Sequence, residues 1–204
     1  SSAISDNGHW VYDTTDYGTI EGELGGVVQE KNTCTVLTAI RELLSLGYKI
    51  TPQAVKTGFA QVTGLTGLMG RWQIIQREPL IICDTGHNVG GWEYLSKQLD
   101  QTPCHALHIV IGMVNDKDIH GVLKLLPKKA IYYFTNASVE RALPAEEFAL
   151  QASEHGLKGT IHSSVALAIE AAKNAAEPND CIFIGGSTFI VSDALIALKL
   201  DIYN

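Results

Sequence analysis

From about Trp72 onward, short apolar runs alternate with stretches whose apolar residues recur at helical spacing. Leu80–Cys83, Ala106–Ile111, Ala130–Thr135, Gly159–His162 and Cys181–Ile184 read as strands. Val89–Leu99, Ile119–Leu126, Ala145–His155, Ser164–Ala175 and Thr188–Leu200 read as helices. The Ile-Val-Ile and Ile-Phe-Ile runs have no polar alternation, which suits strands covered on both faces. Strand followed by helix, five times over, predicts an α/β, Rossmann-like fold: a mostly parallel sheet with helices on both faces.

The first seventy residues follow another pattern. His9–Asp13 and Gly18–Leu24 predict two short strands joined by a Thr-Thr-Asp-Tyr turn. Val36, Leu37, Ile40, Leu43 and Leu44 carry a helix over Asn32–Leu46, and Gly47 is placed to stop it. Thr51 and Pro52 are an N-cap and a first helical residue, opening a second helix to about Val62. Thr63–Gly70, rich in Gly and Thr, reads as a loop. Two strands, two helices and a loop make a poor independent domain. Residues 1–73 are therefore expected to be the end of a second α/β domain, and residues 74–204 a domain of their own.

Composition narrows the classes of function. The chain has 204 residues, 46% apolar and 18% charged, enough for a substantial core. A net charge of −7 argues against a nucleic-acid partner. No apolar run approaches the ~18–20 residues of a membrane helix, and the polar start lacks a signal-peptide pattern. Cys34, Cys83, Cys104 and Cys181 are scattered, as expected of free thiols in a reducing cytoplasm.

In open α/β sheets, ligands bind where strands end and helices begin. Asp84-Thr85-Gly86-His87-Asn88 puts an acid and an imidazole on one tight turn, although Asp84 and Asn88 could serve only as caps. Gly185-Gly186-Ser187-Thr188 could hold a carboxylate or phosphate through backbone donors, or be a plain packing turn. The turn from Gly112 to Asp118 either borders a cleft or pairs its own charges. Arg71, in the loop before the second domain, suits an anionic ligand. His105 and His108, three apart, are expected on opposite strand faces and unsuited to a shared metal; His9, His120, His155 and His162 read as surface or edge residues. No nucleophilic Ser–His–Asp or Cys–His set, and no metal ligand, emerges.

The ordered set resembles a known family. Gly70-Arg71, Asp84-x-x-His87-Asn88, Gly112-x-x-x-Asp116-Lys117-Asp118 and Gly186-Ser187 are similar to motifs of the folylpolyglutamate/dihydrofolate synthase branch of the Mur ligases. Gly26-x-x-Gln29-x-x-Asn32 resembles the family's G-x-H-Q-x-x-N segment, which closes its central ATPase domain. The resemblance implies an ATP-dependent ligase, with magnesium, that makes an acyl phosphate and joins it to glutamate. The implied acceptor is a folate or dihydropteroate. It implies ATP lying between the central and C-terminal domains, with Arg71 at phosphate, Asp84 at the ribose, Asn32 at adenine and His87 at the same cleft. Ser187 would help hold the incoming glutamate. A cytoplasmic monomer without nucleic-acid or membrane partners is expected.

The chain also departs from the pattern. Val28 stands where the family has His, and Val89 where Pro follows His-Asn. No G-x-x-G-K-[ST] occurs, and the lysine and acids that place magnesium have no counterpart. These residues are thus expected to be a fragment, inactive alone, of a larger enzyme. A cell-wall ligase of the same group, or a non-catalytic nucleotide-binding module, are the alternatives.

Overall fold

The computed structural model describes residues 1–4, 9–115 and 117–199. The chain divides into two compact units between Arg71 and Trp72.

The first unit holds a three-stranded antiparallel sheet in the order β1 (Ser2–Ile4), β2 (Trp10–Thr14), β3 (Gly18–Gly22). Helices α1 (Val28–Ser45), α2 (Pro52–Ala60) and α3 (Val62–Thr66) follow. Trp10 and Tyr12 stack at 5.7 Å, and Phe59 of α2 meets Tyr12 edge-on at 6.5 Å. Thr51 caps α2 by accepting the N–H of Ala54, with Pro52 in the first turn. Gly47, at φ +90°, ends α1 as its spacing foretells: the N–H groups of Gly47 and Tyr48 bond back to the carbonyls of Leu44 and Leu43. The expected loop at Thr63–Gly70 instead begins inside α3. Gly67 there takes φ +71° and ends that short helix. Of α1, only Gln29 and Thr33 are buried, while Val36, Leu43 and Leu44 are exposed.

The second unit is a six-stranded sheet in the order β4-β5-β9-β6-β7-β8. Its strands are β4 (Gln73–Arg77), β5 (Leu80–Asp84), β6 (Leu107–Ile111), β7 (Ile131–Phe134), β8 (Gly159–Ile161) and β9 (Cys181–Gly185). All pairs are parallel except β4 with β5. Helices α4 (Val89–Gln101), α5 (Ile119–Leu125), α6 (Ala145–Glu154), α7 (Val165–Ala175) and α8 (Thr188–Ala197) make the crossovers and the final layer. The expected α/β fold is present. β4 was not expected, because Gln73-Ile-Ile-Gln-Arg neither alternates cleanly nor runs apolar.

Burial explains why the middle strands read as unbroken apolar runs. Ile109, Val110, Ile111, Ile182, Phe183 and Ile184 are fully covered, and Trp92 of α4 meets Phe183 edge-on at 5.7 Å. Among the described residues, the buried side-chain atoms Trp92 Nε1 and Thr135 Oγ1 have no hydrogen-bond partner. Among the described residues, no helix is long and apolar enough to cross a membrane.

The histidine expectation needs correction. His105 lies ahead of β6, so the two-residue alternation of a strand does not reach it. Both His105 Nδ1 (3.6 Å) and buried His108 Nε2 (3.3 Å) face the carboxylate of Asp180, and His108 Nδ1 lies 3.0 Å from the Tyr133 hydroxyl. Asp180 also accepts the N–H groups of Ala106 (2.9 Å) and Glu177 (2.8 Å). This network ties the N-terminal ends of β6 and β9 together, at the sheet edge opposite the turns that follow β5, β6 and β9.

Candidate active-site edge

Sheet register brings the predicted turns together. Asp84 pairs with Gly185, and Gly185 with Ile111, so β5, β9 and β6 end level with one another. The turns after them form one edge, at the carboxyl ends of adjacent parallel strands. That is where α/β sheets place ligands. Glycine makes the close approach possible. A Cβ on Gly186, which has φ +95°, would lie 2.6 Å from the Gly112 carbonyl oxygen.

The Asp84 turn is tightly braced. Asp84 is buried; its Oδ2 accepts the Trp72 N–H at 2.7 Å and its Oδ1 the Gly86 N–H at 2.8 Å. The cap of α4 is Asn88 alone, accepting from Gly91 at 2.8 Å. Asp84 therefore shapes the turn and is not a helix cap. Burial, with the charge of Asp84 beside it, pushes the Cys83 thiol up to about 12, so this thiol stays protonated and unreactive.

His87 is half-buried, with Nδ1 3.1 Å from the Thr85 carbonyl oxygen. A carbonyl oxygen only accepts, so Nδ1 carries the hydrogen. In the neutral ring, Nε2 is then an acceptor.

Ser187 is buried and caps α8, accepting the Ile190 N–H at 3.1 Å. Its own hydroxyl hydrogen can still be donated.

The turn from Gly112 is only partly described, because Asp116 lies outside the described residues. Asp118 caps α5 by accepting from Gly121 at 2.8 Å.

A fourth segment at this edge carries no sequence signal. The loop after β7 is bound to the Gly112 turn through Leu143 N–H to Met113 O and Asn115 N–H to Arg141 O. It is bound to α8 through Ser138, whose N–H and hydroxyl both donate to Asp193. Arg141 lies 4.8 Å over the Phe189 ring, in the first turn of α8. Sequence reasoning passed over Arg141 because nothing in Ser-Val-Glu-Arg-Ala-Leu marks it.

Asn32 and Arg71 belong to the first unit. Asn32 is exposed on α1 and donates from Nδ2 to Gln29 Oε1 at 3.1 Å. Arg71 is half-buried, between Gly70 at φ +73° and Trp72 at φ +47°. Among the described residues, no group of three or more His, Cys, Asp or Glu is placed to hold a metal ion.

A family signature spans this edge. The model of the family described as "Mur ligase, glutamate ligase domain" matches residues 70–188, from the glycine before Arg71 to the start of α8. The chain belongs to this Mur ligase family.

Known proteins agree with that placement. The dihydrofolate synthase/folylpolyglutamate synthase of Escherichia coli K12 is 32% identical over 195 residues, covering 91% of this chain and 44% of that protein. The folylpolyglutamate synthase of Mycobacterium tuberculosis, solved with ADP, superposes with a TM-score of 0.84 at 26% identity. It matches 98% of this chain and 47% of its own. A bifunctional folylpolyglutamate synthase/dihydrofolate synthase with Mn, AMPPNP and L-glutamate bound gives 0.73 at 27%, over 96% of this chain and 45% of that one. The chain thus spans about half the length of the relatives it matches. This Mur ligase domain corresponds to the C-terminal part of such a synthase, as its motifs imply.

Proposed function

We propose that this chain is the C-terminal part of an ATP-dependent ligase that adds glutamate to a folate or dihydropteroate through an acyl phosphate. The observation that carries this reading is the level ending of β5, β9 and β6. It sets the Asp84–His87 turn beside the Ser187 turn, in a chain whose relatives are folate synthases. ADP in the mycobacterial structure, and AMPPNP with L-glutamate in the bifunctional one, support two substrates for this family.

In this reading, Asp84 and His87 meet the nucleotide. Asp84 gives its turn a fixed shape, and the His87 Nε2 lone pair accepts from a ribose or amide donor. The Ser187 hydroxyl donates to the carboxylate of incoming glutamate, at the N-terminus of α8, where exposed N–H groups favour an anion. Asn32 and Arg71 are assigned to adenine and to phosphate. Arg71 suits the second role because its charge is permanent.

Residues 1–73 are proposed as the closing part of a central ATPase domain. The exposed Val36, Leu43 and Leu44 support this, since they form an apolar face on α1 that the unit itself does not cover. Magnesium would offset phosphate charge during acyl-phosphate formation. Among the described residues, no group of three or more His, Cys, Asp or Glu stands together to hold it. Without a phosphate loop these 204 residues do not turn over alone.

The test is incorporation of labelled L-glutamate by the complete protein that carries this sequence. Dihydropteroate and a reduced folate are offered separately, with ATP and magnesium. Label in either acceptor supports the ligase and identifies its substrate. A folded, ATP-binding protein that labels neither refutes the folate assignment.

A further inference from the structure

Two histidines far apart in sequence meet on the second unit. His120 Nδ1 lies 3.0 Å from His155 Nε2, with ring centroids 5.3 Å apart and planes inclined by 49°. His120 sits in the first turn of α5, whose start is fixed by Asp118. His155 is the C-cap residue of α6, and its backbone N–H bonds to the Ala152 carbonyl. Lys128 Nζ donates to the carbonyls of both Leu123 and His155, pinning the end of α6 to α5. The two backbones are thus held from both sides before the rings meet.

We propose that His120 and His155 chelate one divalent transition-metal ion of the borderline class that favours imidazole, such as Zn²⁺, Ni²⁺ or Cu²⁺.

The nitrogen separation carries the argument. With metal–nitrogen bonds of about 2.0–2.1 Å, two nitrogens on one ion lie about 2.9 Å apart at a right angle and about 3.3 Å apart in a tetrahedron. The observed 3.0 Å falls between these, so the two nitrogens already stand at the spacing one ion requires, and rotation of the rings aims both lone pairs at it. His120 is exposed and His155 half-buried, which leaves room for water to complete the shell.

Without metal, the same distance fits one N–H···N hydrogen bond between neutral rings. On binding, the shared hydrogen moves to the other nitrogen of its own ring. Both facing lone pairs become available, and neutral rings release no net proton.

The experiment titrates the chain with NiCl₂ by calorimetry, beside His120→Ala, His155→Ala and His162→Ala. Cu²⁺ spectra are recorded as an independent count of nitrogen ligands. The expected result is one ion per chain, an affinity at least about tenfold weaker in each of the first two variants, and no change in His162→Ala. Cu²⁺ spectra of the unmodified chain show coupling to two imidazole nitrogens. No binding, or binding unchanged in both variants, overturns the proposal, as does a one-nitrogen spectrum of the unmodified chain.

Discussion

The Asp84 carboxylate holds the backbone N–H of Trp72 at 2.7 Å, at a residue with φ +47°. A non-glycine residue in the left-handed region costs on the order of 1–3 kcal/mol and persists only when its surroundings impose it. Trp72 is held from two directions: its N–H bonds to Asp84, and its indole lies 6.2 Å from the Phe183 ring. The residue expected to meet the nucleotide is therefore also the one that fixes the start of the second unit.

Asp84→Ala removes the acceptor for both Trp72 and Gly86. Hydrogen bonds to a charged group contribute about 1.5–3 kcal/mol each, less when coupled, so a loss of about 3 kcal/mol is expected in denaturant unfolding. Asp84→Asn keeps one oxygen and loses less. A surface-like change below about 0.5 kcal/mol for Ala would contradict the bracing role.

Ser187 has two assigned tasks, and variants separate them. Ser187→Ala removes the cap and is expected to cost about 1 kcal/mol. Ser187→Asp restores the cap but sets a negative charge where glutamate is proposed to bind. Stability then recovers, while the KM for glutamate in the complete protein rises. Recovery of both properties would end the glutamate assignment.

Acid sensitivity is assigned to Asp180, only 3% exposed. Burial pushes its pKa up. The N–H groups of Glu177 and Ala106 and the contact with His108 outweigh that, and the net direction is down. A carboxyl depressed in the folded state contributes stability above its unfolded value of about 3.9, and loses it as pH falls through the folded value. Asp180→Asn is therefore expected to be less stable than the unmodified chain at neutral pH. The gap should narrow below about pH 4. A gap that stays constant down to pH 3 would show that the charge contributes nothing.

Trp92 offers a test of packing against polarity. Its indole is fully buried, and Nε1 has no acceptor. Trp92→Phe removes the orphaned donor and keeps an aromatic ring against Phe183. Thermal unfolding is expected to change little, because the small void offsets the relieved N–H. Trp92→Ala is expected to cost about 3–5 kcal/mol. Equal losses in both variants would mean that the N–H has a partner.

Much of this architecture was legible because strong local rules pointed the same way. Ile109–Ile111 and Ile182–Ile184 are covered on both faces, so their unbroken apolar runs name central strands. Thr51-Pro52 and Gly47 marked helix ends through capping chemistry that needs only near neighbours. β4 was missed because its pairing with β5, and not its own pattern, makes it a strand. The Asp180 network was missed because its members come from positions 105, 108 and 180, and no local periodicity links them. At the candidate site, the Asp84, Gly112 and Ser187 turns were each visible. Their meeting at one edge depends on β9 entering between β5 and β6. Arg141 stayed hidden for a similar reason, since only the loop's bonds to Met113 and Asp193 bring it there.

The most direct measurement is ADP release by the complete protein given ATP, magnesium, glutamate and either dihydropteroate or a reduced folate. An Asp84→Ala variant is assayed beside it. The account predicts release that depends on glutamate with at least one acceptor and is lost in the variant. Release that ignores glutamate, or that survives unchanged in Asp84→Ala, would contradict it.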